Sequence, residues 1–135
     1  MNLNALLARS RKSFELNTFD VWVKAAPVGT RGKVSAAAYT RETVDALGTI
    51  QHMTTRDKVS MGLDVSERLG TLFRAGDTEE IPTDAVIVDT INHRHWQVAG
   101  PGIPHYLEGF EGIVHWEYPL NEAVNPIKSI AEEYA

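Results

Sequence analysis

The chain contains no cysteine. That excludes disulfides, thiolate metal sites and catalysis by a thiol. Long apolar runs are missing as well: hydrophobic residues make up 43% of the sequence, but they come in short stretches broken by polar side chains, and none approaches a membrane span. Met1 to Lys12 holds three leucines and no continuous apolar block of the kind a secretory leader needs. Serine chemistry has no foothold either, since no Gly-x-Ser-x-Gly elbow occurs. Gly100-x-Gly102 lacks the strand-glycine-helix setting of a phosphate cradle, and Pro101 removes one of the amides such a cradle would use. Positive charge is scarce overall, with 13 Lys and Arg against 18 Asp and Glu for a net −5. The deficit lies in the body: residues 1–41 carry seven basic and two acidic side chains, and residues 42–135 carry six and sixteen. An acidic body is the reverse of what a DNA-binding module presents. The basic N-terminal third suits an acidic partner, or is simply a solvated face.

What is present is strand-forming sequence. Thr83 to Val98 reads as a β-hairpin, a β-branched run that reverses at Asn92 and returns through Trp96 and Val98. Val86, Val88, Trp96 and Val98 are expected to be buried. Gly76-Asp77 closes an earlier run, Glu67 to Arg74. Thr18 to Ala26 is a first strand closed by Pro27, with Phe19, Val21 and Val23 alternating against Asp20, Trp22 and Lys24. Val34 to Tyr39 and Thr43 to Gln51 follow, and Gly48 in the second predicts a bulge or a close backbone approach. Ile113 to Tyr118 is the last strand, with Ile113, His115 and Glu117 on one face and Pro119 as its stop. Trp22, Trp96 and Trp116 are expected to anchor a core or an interface.

At 135 residues one domain is expected. Its class is mainly β: a small β-barrel of about six short antiparallel strands, with short terminal helices and one long inter-strand loop. Residues 1–16 form an N-terminal helical arm, 17–119 the barrel, and 120–135 a C-terminal tail or short helix. In the arm, Leu3, Leu6 and Leu7 sit near helical spacing with Arg9, Arg11 and Lys12 in the last turn, where cations suit the helix dipole. The arm either packs on its own barrel or docks on a partner. At the other end Asn125-Pro126 opens a helix with Ile127, Ile130 and Tyr134 on one side.

Two segments are candidates for function. His52 to Ser66 lacks strand alternation, and Thr54 to Lys58 can cap a short helical turn. If it reaches a channel axis as a plug, His52, Met53, Arg56, Asp57, Lys58, Met61, Gly62 and Asp64 are its working residues, with Gly62 as hinge. The alternative is that it faces a neighbouring protein. His93-Arg94-His95 places two imidazoles at i and i+2, and His105 follows. Together they suggest a small β-barrel metal- or ligand-binding protein or enzyme. The cupin pattern they partly match requires a glutamate that Gln97-Val98-Ala99-Gly100 does not supply. Moreover, the nine residues between His95 and His105 are too few for that family's hairpin. No metal, no cofactor and no catalysis are therefore expected.

The order Gly48-Thr49-Ile50-Gln51-His52-Met53, a loop reaching Ser66-Glu67-Arg68, a strand, Gly76-Asp77, a hydrophobic strand, and a turn into Trp96-Gln97-Val98 resembles small neck proteins of tailed bacteriophages. That group comprises head-closure (stopper) and head–tail joining proteins, and His52 stands where it often has proline. The resemblance spans residues 43–98. It implies a structural virion protein rather than an enzyme: a homomeric ring that closes the DNA-filled head and connects it to the tail. The implied partners are other copies of the chain, a portal or adaptor protein, and tail terminator or tail tube proteins. Contact with packaged DNA would be transient and non-specific, and no membrane is involved. The implied location is the virion neck, after synthesis in the host cytoplasm.

Overall fold

The computed structural model describes residues 17–25, 29–30, 33–34, 38–64 and 66–135. The arm residues Leu3, Leu6, Leu7, Arg9, Arg11 and Lys12 lie outside these, as do residues 35–37 of the expected strand from Val34 to Tyr39. The described strands are β1 (Asn17–Lys24), β2 (Gly29–Thr30), β3 (Lys33–Val34), β4 (Tyr39–His52), β5 (Leu69–Ala75), β6 (Val86–Asp89), β7 (Arg94–Val98), β8 (Ile103–His105) and β9 (His115–Glu122). Helix α1 is Thr55–Ser60; α2 is Lys128–Ala131 and runs into a 3-10 turn at Glu132–Tyr134.

Seven strands form one sheet in the order β5-β4-β1-β6-β7-β9-β8, and β5 also pairs with β9. Six antiparallel strands thus close into a barrel, and β8 is an extra strand laid on β9 beyond the reach of β7. Closure leaves β5 and β9 no free sheet edge between them, because they pair along the whole of Leu69–Ala75. Among the described residues of this sheet, the outer side of β8 has no partner strand.

Alternation explains the interior. Phe19 and Val21 of β1, Ala46 of β4, Leu72 of β5, Ile87 of β6, Trp96 and Val98 of β7, and Trp116, Tyr118 and Leu120 of β9 fill the barrel. The expected hairpin is β6–β7, with Ile87 opposite Trp96. The residue that takes the left-handed conformation in its turn is His93, with φ 56°, and not Asn92. Asn92 instead donates through its backbone and side-chain amides to the Asp89 carboxylate, at 3.1 and 2.9 Å. Tyr118 brings its polar end inside and satisfies it by accepting the Ile81 amide at 3.0 Å.

β4 is one long bent strand. Its pairing with β1 shifts register between Phe19 and Val21 and again between Val21 and Trp22. Asp45 sits at the bend with φ 53°. Asp20, buried on β1, accepts the Asp45 amide at 3.0 Å. Gly48 lies where a Cβ would come within 2.8 Å of the Phe73 carbonyl oxygen, which confirms the expected close approach. Pro119 does not stop the last strand, which continues to Glu122. A proline gives up only its donor, and the Pro119 carbonyl still accepts the Ala99 amide at 2.8 Å.

A second apolar cluster lies outside the barrel wall. Trp22, Val86 and Val88 point outward and are covered by Ile130, with Tyr39 and Tyr134 beside them. The C-terminal segment is therefore docked on its own barrel. Tyr134 Oη donates to Asp20 Oδ2 at 2.5 Å and accepts from Trp22 Nε1 at 2.9 Å. Arg41 stacks over the Trp22 and Tyr134 rings at 4.8 and 5.2 Å and reaches Glu133 at 3.4 Å. Burial, together with the bond to Asp20, pushes the Tyr134 hydroxyl up to about 12.

Candidate functional site

The register fixes two ends of the barrel. β5 starts at Leu69, opposite Asn121, and finishes at Ala75, opposite His115. The segment carrying α1 enters β5 at the Leu69 end, whereas the connection of residues 106–114 enters β9 at the His115 end. The two excursions therefore emerge from opposite ends.

The first excursion is ordered by its own sequence. Thr54 caps α1, its hydroxyl accepting the Asp57 amide at 3.1 Å. The helix ends in a Schellman motif: the Gly62 amide donates to the Val59 carbonyl at 3.1 Å and the Leu63 amide to the Lys58 carbonyl at 2.8 Å. Gly62 is at φ +70°. It is a helix cap and not the expected hinge, because the left-handed backbone there is fixed by two hydrogen bonds. Asp64 accepts the backbone and hydroxyl of Ser66 at 2.9 and 2.8 Å, which holds its carboxyl below the usual range.

The other expected loop residues divide. His52 ends β4, lies edge-on to Trp96 at 4.9 Å and contacts Arg94 at 3.1 Å. Met53 and Asp57 line an open depression of about 240 Å³ together with His52 and Met61. Arg56 is exposed, while Lys58 lies buried along α1. Val59 and Met61 carry their apolar side chains into solvent, 64% and 65% exposed. The second excursion is also apolar: Tyr106 is 68% and Phe110 45% exposed, and Leu107 lies between them.

The three histidines considered from sequence do not converge. His93 occupies the β6–β7 turn. His95 packs against Tyr134 at 6.0 Å, and its burial lowers the imidazole below its ordinary pKa. His105 instead meets His115 and Glu117. His105 pairs directly across β8–β9 with His115, and Glu117 is two residues further along the same face. The imidazoles stack at 4.4 Å with planes 8° apart, and each Nε2 lies 3.3 Å from Glu117 Oε1. Strand alternation had already put His115 and Glu117 on one face; what spacing could not supply was the cross-strand position of His105.

Among the described residues, no helix is long and apolar enough to cross a membrane. No protein-family model matches the chain, and no curated protein does. It is similar in fold to the solution structure of protein SF1141 from Shigella flexneri 2a. That likeness has a TM-score of 0.63 at 9% sequence identity, covering 84% of this chain and 96% of the other. At that identity the likeness concerns the fold: a mainly β chain built on a closed six-stranded antiparallel barrel with one further strand and only short helices.

Proposed function

We propose that this protein is a structural component of a tailed-bacteriophage neck, a homomeric ring that closes the filled head and receives the tail. The observation that carries the reading is the placement of two exposed apolar excursions at opposite ends of one closed barrel. A part that joins two different bodies along an axis needs a contact surface at each end. One end meets the portal or its adaptor; the other meets tail terminator or tail tube proteins. The resemblance over residues 43–98 supplies the class of assembly, and an acidic body suits a channel through which DNA passes without sticking. A capped helix that presents Val59 and Met61 is better suited to docking on protein than to plugging a channel. Apolar side chains on a fixed backbone bury area at little ordering cost.

Mass spectrometry and cryo-electron microscopy of particles from a producing host test the proposal. The expected result is several copies per particle, arranged as a ring at the head–tail junction. Particles that lack the protein altogether, or that hold a single copy, would overturn it.

A further inference from the structure

We infer that His105, His115 and Glu117 bind one divalent transition-metal ion of the zinc class, an ion that fastens the base of the 106–114 excursion. His105 is the last residue before that connection and His115 the first after it, so both ends of the connection carry a ligand. The three donor atoms lie within 4.8 Å of one another. Two of the separations, Nε2 of each imidazole to Glu117 Oε1, are 3.3 Å. Bonds of about 2.0–2.1 Å at tetrahedral angles place neighbouring ligand atoms about 3.3 Å apart, so these two edges already have the length zinc requires. Two histidines and a glutamate are, moreover, a donor set that zinc accepts while leaving a fourth position open.

A second observation points the same way. His105 Nε2 is shut off from solvent and makes no hydrogen bond, although the ring as a whole is about two-fifths exposed. Its 3.3 Å approach to the carboxylate is close enough for a charge pair but forms no hydrogen bond. Of the two imidazoles, only His115 is hydrogen-bonded to Glu117. A ring nitrogen shut off from solvent beside a carboxylate, with no hydrogen bond between them, is suited by a cation in the gap. Because the rings lie face to face, each must tilt about χ2 to bring its lone pair onto a shared ion, and that torsion is soft for histidine. β8 has only three residues and no strand on its outer side, so it can follow.

The test uses the tag-free full chain titrated with zinc ion. One equivalent should bind, moving the imidazole resonances of His105 and His115 while leaving those of His52, His93 and His95 in place. In a competition titration against a chromophoric chelator, His105→Ala, His115→Ala and Glu117→Gln should each weaken binding at least about tenfold. His93→Ala should bind like the parent. The inference fails if zinc shifts all five imidazoles alike, if none responds, or if the His105→Ala/His115→Ala double variant keeps the parent's affinity.

Discussion

Tyr134 carries more of the outer packing than its half-buried position suggests. Its hydroxyl donates a hydrogen bond to a buried carboxylate and accepts one from Trp22, so the C-terminal segment is held by polar geometry as well as by Ile130. Tyr134→Phe leaves Asp20 with the Asp45 amide and a 3.8 Å Arg41 contact, and should cost about 1–3 kcal/mol. The pH dependence has a definite sign. The folded pKa is raised from 10.0 to about 12, so the native state keeps a proton that the unfolded chain releases. This part of the stability is whole below about pH 10 and is lost as pH rises towards 12. Burial raises Tyr118 as well, so the measurement is the difference between parent and variant: denaturation midpoints across this window should fall less steeply in Tyr134→Phe.

At the scale of elements, α1 shows how a loop becomes a fixed surface. Gly62 is the residue on which its C-terminal cap depends, since a Cβ there would meet no neighbouring atom but would sit on a left-handed backbone. Gly62→Ala should destabilise the excursion by about 1–2 kcal/mol without touching the barrel. Hydrogen exchange at the Leu63 amide should quicken roughly tenfold while the barrel amides keep their rates. Sequence reading reached Thr54 and the helical turn because capping chemistry is local. It reached β6 and β7 for a similar reason, as β-branched runs beside a polar reversal declare themselves. Where it fell short, distance along the chain was the cause. Asp20 looks solvent-facing by alternation, yet the C-terminal segment over a hundred residues later covers it, and that same segment is what Trp22, expected as an anchor, packs against. By alternation Val44 shares a face with Ala46, yet Ala46 is buried and Val44 exposed, with the left-handed residue Asp45 between them. The His105–His115 pairing depends on a register set across a nine-residue connection, which no periodicity encodes.

For the whole molecule, the two ends are separable by mutation. Val59→Asp with Met61→Asp alters one end, and Tyr106→Asp with Phe110→Asp alters the other; all four side chains are exposed, so both double variants should fold like the parent. In a producing host each pair should fail at a different step. One should yield heads that never acquire the protein, the other heads that carry it and lack tails; electron microscopy and immunoblotting of purified particles distinguish them. Full infectivity of both variants would remove the docking role from these surfaces.

The β5–β9 seam has a further consequence, for the order of folding. Closing it brings Leu72 against Tyr118, residues separated by most of the second half of the chain, whereas the β6–β7 hairpin joins neighbours. Loop-closure entropy delays this pairing, and the still more distant β1–β6 pairing of Phe19 with Asp89, until the local hairpin has formed. The rate-limiting ensemble should thus contain the β6–β7 hairpin with the barrel not yet closed. Ile87→Val should slow refolding nearly as much as it lowers stability, and Leu72→Ala should mainly hasten unfolding. A stopped-flow chevron for each variant reads this directly. Until the seam shuts, the newly made chain exposes one unpaired edge on each of β5 and β9, and that brief interval is when copies can mispair with one another.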